Sequence, residues 1–186
     1  MASDNIGTRD LVAAKMVMNQ RQDDGLIAHG HVRVECVRDG QVIWVDEGPN
    51  LIVTTGRNKL LDETLSGSGY TAAWYMGLID NAGFSAIAAA DTMASHAGWA
   101  EADEYDEATR ETLAFSAASA GSKATSAAAS FTISASITVN GVFIASSSTK
   151  NESASILFAA KSFSATRAVV DNDVLNVSYT ASLTAS

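Results

Sequence analysis

The sequence is poor in the residue types that most chemical sites require. It has one cysteine, Cys36, among 186 residues, which excludes an intramolecular disulfide framework and any multi-cysteine zinc site. Aromatic residues make up only 7% of the chain, too few for the aromatic platforms of a glycosidase cleft. There are 12 lysines and arginines against 21 acidic residues. Because phosphate binding needs clustered cations, no nucleic-acid partner is expected.

Long hydrophobic runs are also missing. No apolar run could span a bilayer, so we expect no membrane partner. Asp4, Arg9 and Asp10 precede the first apolar stretch, an order unlike that of a secretory signal, which predicts a soluble product made in the cytoplasm. Alanine and serine dominate from about Ala114 onward, and each methylene missing relative to leucine forfeits roughly 0.8 kcal/mol of burial. Because a core of such small side chains buries little apolar area, burial against a second subunit would add stability. We therefore expect a homo-oligomer, a dimer or trimer.

Alternating apolar and small polar residues fill the last third of the chain. This period of two is typical of half-buried β-strands. The pattern predicts strands near 131–139, 142–147, 154–160, 163–170 and 174–183. Asn140-Gly141 is the turn signal between the first two, and Asp171-Asn172-Asp173 joins the last two. Short strands at this spacing predict a mainly β fold, an antiparallel sandwich or jelly-roll-like domain.

The chain divides into an arm and one domain. We expect an extended N-terminal arm over 1–28 and a β-sandwich domain over 29–186. One short helix is predicted at about 55–65, capped by Thr54 or Thr55, with an apolar stripe formed by Leu60, Leu61 and Leu65. A long acidic loop is expected at about 91–110, a length that is usually functional or bound to a partner.

Two strands can be placed more closely. The segment Thr71–Asp80 is apolar on both faces, which predicts a central strand. Gly30–Glu47 predicts a hairpin that is closed by a type I′ turn at Asp39-Gly40.

That turn sets the register of the hairpin. Counting outward from it pairs Cys36 with Ile43 and Val34 with Val45 on the core face. On the other face, the same count pairs Glu35 with Trp44 and Arg33 with Asp46.

Residues with reactive side chains do not assemble into a recognised motif. His29-x-His31 lies on one strand face and is compatible with a metal pair, but no third ligand stands at a diagnostic spacing. The acidic run Glu101–Glu107 lacks the order of a calcium loop. Cys36 falls on the core face, where a thiol is usually inert. We therefore expect no enzyme activity, no cofactor and no metal.

Several blocks together resemble a known group of proteins. They are Asn50-Leu-Ile-Val-Thr-Thr-Gly56, Trp74-Tyr-Met-Gly-Leu-Ile79, Asp91-Thr-Met-Ala-Ser-His-Ala-Gly-Trp99 and Ala168-Val-Val-Asp-Asn-Asp-Val-Leu-Asn-Val-Ser-Tyr179. In this order they resemble virion structural proteins of tailed bacteriophages. The resemblance covers roughly residues 50 to 183. Where that pattern has Gly-Asp, this chain has Asn172-Asp173, and asparagine also tolerates a left-handed turn.

The resemblance implies a non-enzymatic particle component. The expectation is a capsid decoration, or cement, protein on the capsid surface of the virion, with the major capsid protein and further copies of itself as partners. The alternatives are a tail, neck or fibre component, and a carbohydrate-binding tail module with Trp44, Trp74 and Trp99 around one groove. The candidate partner-binding residues are Met16, Val17, Met18, Arg33, Glu35, Trp44, Trp99, Glu101, Asp103 and Glu104.

Overall fold

The computed structural model describes residues 25–67 and 69–185. One short helix, α1, spans Thr54–Leu61 and continues as a π-helical turn over Asp62–Ser66. The strands are β1 (Leu26–Arg38), β2 (Gln41–Pro49), β3 (Leu51–Ile52), β4 (Tyr75–Asp80), β5 (Ala100–Ala102), β6 (Glu111–Thr112), β7 (Ser122–Ala124), β8 (Ala129–Thr132), β9 (Ile137–Ala145), β10 (Leu157–Val169) and β11 (Val174–Ala185).

Within the described ranges these strands form two antiparallel sheets. Sheet A has the order β2-β1-β11-β7, and β8 also pairs with β11. Sheet B has the order β3-β10-β9-β4-β5, and β6 also pairs with β4. The prediction of a mainly β, antiparallel sandwich with one short helix is confirmed.

The main core lies between the two sheets. Sheet A contributes the alternate, inward-facing residues of β1 and β11, among them Val34 and Val177, which are fully buried. Sheet B contributes Met76, Leu78 and Val142. Because side chains alternate across a strand, each sheet offers one apolar row per strand to this layer.

A second apolar cluster covers the outer face of sheet B. It contains Ile79, Phe143 and Leu157 from the sheet, together with Met93 and Trp99 from the long connection between β4 and β5. Strand β4 is therefore buried on both sides, and it lies between β9 and β5. The central position predicted for this strand is confirmed, but the strand begins at Tyr75, four residues after the predicted start at Thr71.

One predicted turn is wrong. Asn140 and Gly141 lie inside the continuous strand β9, which joins the end of the strand expected at 131–139 to the strand expected at 142–147. The single strand expected at 131–139 is also wrong, because the chain passes there from β8 in sheet A to β9 in sheet B. A side chain at Gly141 would place its Cβ 2.2 Å from the carbonyl oxygen of Lys161 on β10. Glycine is needed at this position because the backbone of β10 approaches closely. An Asn-Gly pair therefore does not form a turn where it is paired inside a sheet. Strand β10 is likewise continuous through the two strands predicted at 154–160 and 163–170.

The other predicted turn is confirmed. Strands β10 and β11 are joined at Asp171-Asn172-Asp173, and Asn172 has the positive φ of 66° that a left-handed turn residue requires. Asparagine adopts this conformation at low cost.

The helix lies where expected but differs in detail. The predicted cap at Thr54 or Thr55 is wrong, because the helix begins at Thr54 and its N-cap position is Val53, which has no polar side chain. The hydroxyl of Thr55 donates to the carbonyl oxygen of Leu157. Leu61 and Leu65 are exposed, so the predicted apolar stripe is wrong; only Leu60 packs against the core. The helix lies against the backbone of β10 at Gly56, its buried residue. A Cβ at this position would lie 2.1 Å from the carbonyl oxygen of Phe158, so only glycine allows this close approach.

The start of β1 lies inside the predicted arm. The strand begins at Leu26, three residues before the expected boundary, and these residues pair with the end of β11. Met16, Val17 and Met18 lie outside the described residues.

Candidate partner-binding surface

The β1–β2 hairpin closes as the sequence predicts. Asp39 and Gly40 both have positive φ, 51° and 76°, which a type I′ turn requires. Arg38 pairs with Gln41 across it.

The register changes immediately beyond the turn. Cys36 pairs with Trp44 instead of Ile43, and Glu35 pairs with Val45 instead of Trp44. Ile43 is the extra residue of a β-bulge, which the turn sequence alone cannot signal. Every predicted pair beyond the bulge is therefore wrong by one position.

The bulge places apolar side chains on the surface. Val42, Ile43 and Val45 are 52%, 43% and 38% exposed. They lie on β2, which is an edge strand of sheet A. Edge strands carry unpaired backbone donors and acceptors, and natural proteins commonly protect them with charged side chains or proline. Here the exposed charge and the proline, Glu47 and Pro49, come at the end of the strand, and its first half exposes aliphatic side chains.

The same bulge turns Trp44 and Asp46 inward. Trp44 is half-buried against Phe163, with ring centroids 5.9 Å apart, and the guanidinium of Arg167 lies over its ring. Trp44 is thus a packing residue between the sheets rather than a freely exposed contact.

Asp46 joins the two sheets through a buried charge cluster. Its carboxylate accepts hydrogen bonds from Lys161 Nζ at 2.5 Å and from the amide and hydroxyl of Ser164 at 2.8 and 2.5 Å. Arg167 lies 3.4 Å away. Burial by itself would raise the pKa of Asp46, but the hydrogen bonds from Lys161 and Ser164 outweigh it and the pKa lies below its ordinary value. The predicted Arg33–Asp46 pair does not form.

Arg33 and Glu35 lie on the outer face of sheet A, as expected for surface residues. Arg33 Nη1 donates to the carboxylate of Glu35, and its Nε lies 3.3 Å from Glu47, the residue it pairs with on β2. The three side chains are partly exposed, so their ion pairs are screened and contribute little stability. They remain available as charged contacts beside the aliphatic edge.

A second buried carboxylate, Asp173 in the turn between β10 and β11, binds Arg38 at the end of β1. Arg38 donates to both oxygens of the fully buried Asp173, each at 2.6 Å. The bond from Arg38 outweighs burial and holds the pKa of Asp173 below its ordinary value. Cys36 lies beside this pair, and burial together with the Asp173 charge raises the pKa of its thiol to about 12. The thiol is therefore unreactive at neutral pH.

Part of the acidic segment is interior. Glu101 is buried and forms a two-point ion pair with the fully buried Arg110, at 2.8 and 2.7 Å. Arg110 Nη1 also donates to the carbonyl oxygen of Ser147 at 3.0 Å. Glu101 therefore stabilises the loop cluster instead of facing a partner, because its charge is neutralised within the chain.

The other candidates in the segment separate into interior and surface. Trp99 is 4% exposed; it stacks on His96 with centroids 4.0 Å apart, and its indole donates to Asp91 at 3.0 Å. Asp103 is exposed and Glu104 is half-buried. These two acidic residues remain as surface contacts.

The three tryptophans pack on three different rings: Trp44 and Trp74 lie against the main core, and Trp99 is buried in the second cluster. Trp44 packs on Phe163, Trp74 on Phe158 and Trp99 on Phe143. They do not surround one groove, which is the arrangement that the carbohydrate-binding alternative requires.

The histidine pair has ordinary surface surroundings. The imidazole of His29 is hydrogen-bonded to the hydroxyl of Thr184 at 3.1 Å, and His29 and His31 are both exposed. Among residues 25–67 and 69–185, no three His, Cys, Asp or Glu side chains are grouped as metal ligands. Over the same residues, no helix has the length and apolar character needed to cross a membrane.

The candidate surface therefore consists of the aliphatic edge of β2 and the charged residues beside it. Its aliphatic part was missed from the sequence, because Ile43 and Val45 were assigned to the core face. No protein-family model matches the chain, and no curated protein sequence matches it.

Proposed function

We propose that this chain is a non-enzymatic structural protein of a tailed-phage particle, a capsid decoration protein that binds the outside of the major capsid protein lattice. The observation that carries the proposal is β2, which is an edge strand of sheet A among the described residues and exposes Val42, Ile43 and Val45. The sequence blocks between residues 50 and 179 support the particle assignment.

An edge strand of this kind offers a direct mode of assembly. A strand from a capsid subunit can add to β2 through backbone hydrogen bonds, while the aliphatic side chains bury apolar area against it. Arg33, Glu35 and Glu47 stand next to the edge and fix which strand fits by charge complementarity. Each contact is modest in size, but a repeated lattice multiplies it.

The buried charges support a structural role. Asp46, Asp173 and Glu101 each accept hydrogen bonds from a lysine or arginine within the chain. Carboxylates held by such charge-assisted hydrogen bonds connect loops and sheets, which suits a structural role.

The number of copies per particle is the first test. Quantitative mass spectrometry of purified particles should find the chain in on the order of hundreds of copies, since decoration follows the lattice. A dozen copies or fewer would contradict decoration and support the alternative, a tail, neck or fibre component.

The second test addresses the surface itself. Ile43→Asp places a charge on the aliphatic edge and should abolish binding of the purified protein to undecorated capsids, measured by co-sedimentation. The matched control is Leu65→Asp on the π-helical turn, another exposed aliphatic residue, which should bind normally. Equal binding by both variants would exclude β2 as the docking edge.

A further inference from the structure

The core-facing rows of sheet A run on beyond the residues that the core covers. Ala28 on β1 and Ala181 on β11 still pack against the main core. The next residues in the same rows are Leu26 and Leu183, which are 72% and 48% exposed. Since alternate residues of a strand face one side, both leucines point toward the layer that the sandwich fills elsewhere. This part of sheet A has no covering layer among the described residues.

An apolar cleft opens beside this uncovered part. It has a volume of about 420 Å³ and contains Ala181 in its wall. Its larger apolar lining residues include Leu60, Trp74, Phe115, Phe158 and Tyr179, and Glu63 and Lys123 also stand in its wall. Tyr70 stands in the wall and is 82% exposed. Apolar surface that is contiguous and open to water marks a binding site.

The sequence supplies an occupant close by. The segment Leu11–Met18 has seven apolar residues and one lysine, and seven residues, 19–25, separate it from the first residue of β1. We propose that this segment, which lies outside the described residues, packs into the cleft of its own chain and covers Leu26 and Leu183. Met16 and Met18 suit such a site, because unbranched methionine side chains fill irregular apolar space.

Tether length favours the same chain over a second copy. The linker 19–25 reaches up to about 23 Å when extended. Ala181 pairs with Gly30, which is four residues from Leu26, about 13 Å along the strand. A linker that spans the required distance gives an effective concentration in the millimolar range. At lower protein concentrations, the chain's own segment therefore fills the cleft first.

The test is disulfide trapping in the full-length protein. Met16→Cys combined with Leu183→Cys should form a monomeric disulfide under mild oxidation. The control pair is Met16→Cys with Ile43→Cys, whose second site is exposed at the far end of the same sheet. We expect the first pair to close about tenfold faster or more, because only there does docking raise the local concentration. The native Cys36 is buried with a raised thiol pKa and does not compete.

Two results would overturn the proposal. Equal rates for the two pairs would show that the segment does not dock at the cleft, and a covalent dimer would show that the occupant belongs to a second copy. A second measurement does not need new cysteines: Val17→Asp should increase the fluorescence of an apolar dye bound to the native protein, whereas Asn19→Asp should not. Neither assay uses a capsid, so failure here leaves the proposed function standing.

Discussion

The outer faces of the two sheets differ in how far other parts of the chain cover them. Sheet B is covered on both sides: the main core covers its inner face, and the connection that carries Met93 and Trp99 covers its outer face. Sheet A is covered on its inner side except near Leu26 and Leu183, and its outer side presents side chains such as Arg33, Glu35 and Ser178 to solvent. The difference indicates that sheet B is the structural support of the molecule and that sheet A is available for contacts.

Side-chain composition follows the same division. Strand β4 of sheet B is apolar at nearly every position, as a strand buried on both faces must be. Strands β1 and β11 alternate between apolar and polar residues, which suits a strand with one wet face. Substitutions on the outer faces of the two sheets should therefore have unequal effects on stability.

The largest effect is expected on the covered outer face of sheet B. Phe143→Ala removes a fully buried ring that packs on Trp99, and it should lower the free energy of unfolding by about 3–5 kcal/mol. Val45→Ala on the exposed edge of sheet A should change it by less than about 0.5 kcal/mol. Urea unfolding measures both. Similar losses would mean that sheet A is as well covered as sheet B.

The next effect is expected where the two sheets are joined by charge. Asp46→Asn leaves Lys161 buried without a counter-charge, which should cost about 3 kcal/mol. Glu47→Gln changes the neighbouring, exposed carboxylate and should cost about 0–1 kcal/mol. If thermal unfolding finds equal shifts, the Asp46 cluster does not hold the sheets together.

Acid should weaken the same connections. The pKa values of Asp46 and Asp173 are held below their ordinary value of 3.8 in the folded chain. The unfolded chain therefore binds protons first, so stability is complete well above that value and falls as the pH drops through the folded pKa values. The urea midpoint should decrease with acid, and Asp173→Asn should flatten the decrease. A midpoint that is constant into strong acid would contradict this.

The smallest effect is expected on the outer face of sheet A. Arg33→Ala removes two solvent-screened ion pairs, with Glu35 and Glu47, and should cost about 0–1 kcal/mol. The difference from wild type should disappear in high salt. A larger loss that persists in salt would show that this face is packed.

Local signals predicted much of the fold. The Asp39-Gly40 turn, the central position of β4 and the Asp171-Asn172-Asp173 turn follow from residue types that have few alternatives at those positions. The strand alternation in the last third likewise gave the sandwich.

The features that were missed depend on distant contacts. The bulge at Ile43 turns Asp46 inward, where its carboxylate accepts a hydrogen bond from Lys161, a residue far along the chain. Gly141 lies where it does because the backbone of β10 passes within reach. Glu101 was expected to contact a partner, since the acidic run itself does not show that Arg110 pairs with this carboxylate. Partnerships across this distance are not visible in a single sequence.

The pairing of β1 with β11 has a consequence for how the chain folds. The first strand of sheet A finds its longest partner only in the last strand of the sheet, so the ribosome must deliver nearly the whole domain before that pair can form. Until then β1 has only its hairpin partner, and an isolated hairpin is marginally stable. A sheet closed by such distant residues forms slowly. During synthesis, the newly made β1 is therefore the segment that most needs protection from aggregation.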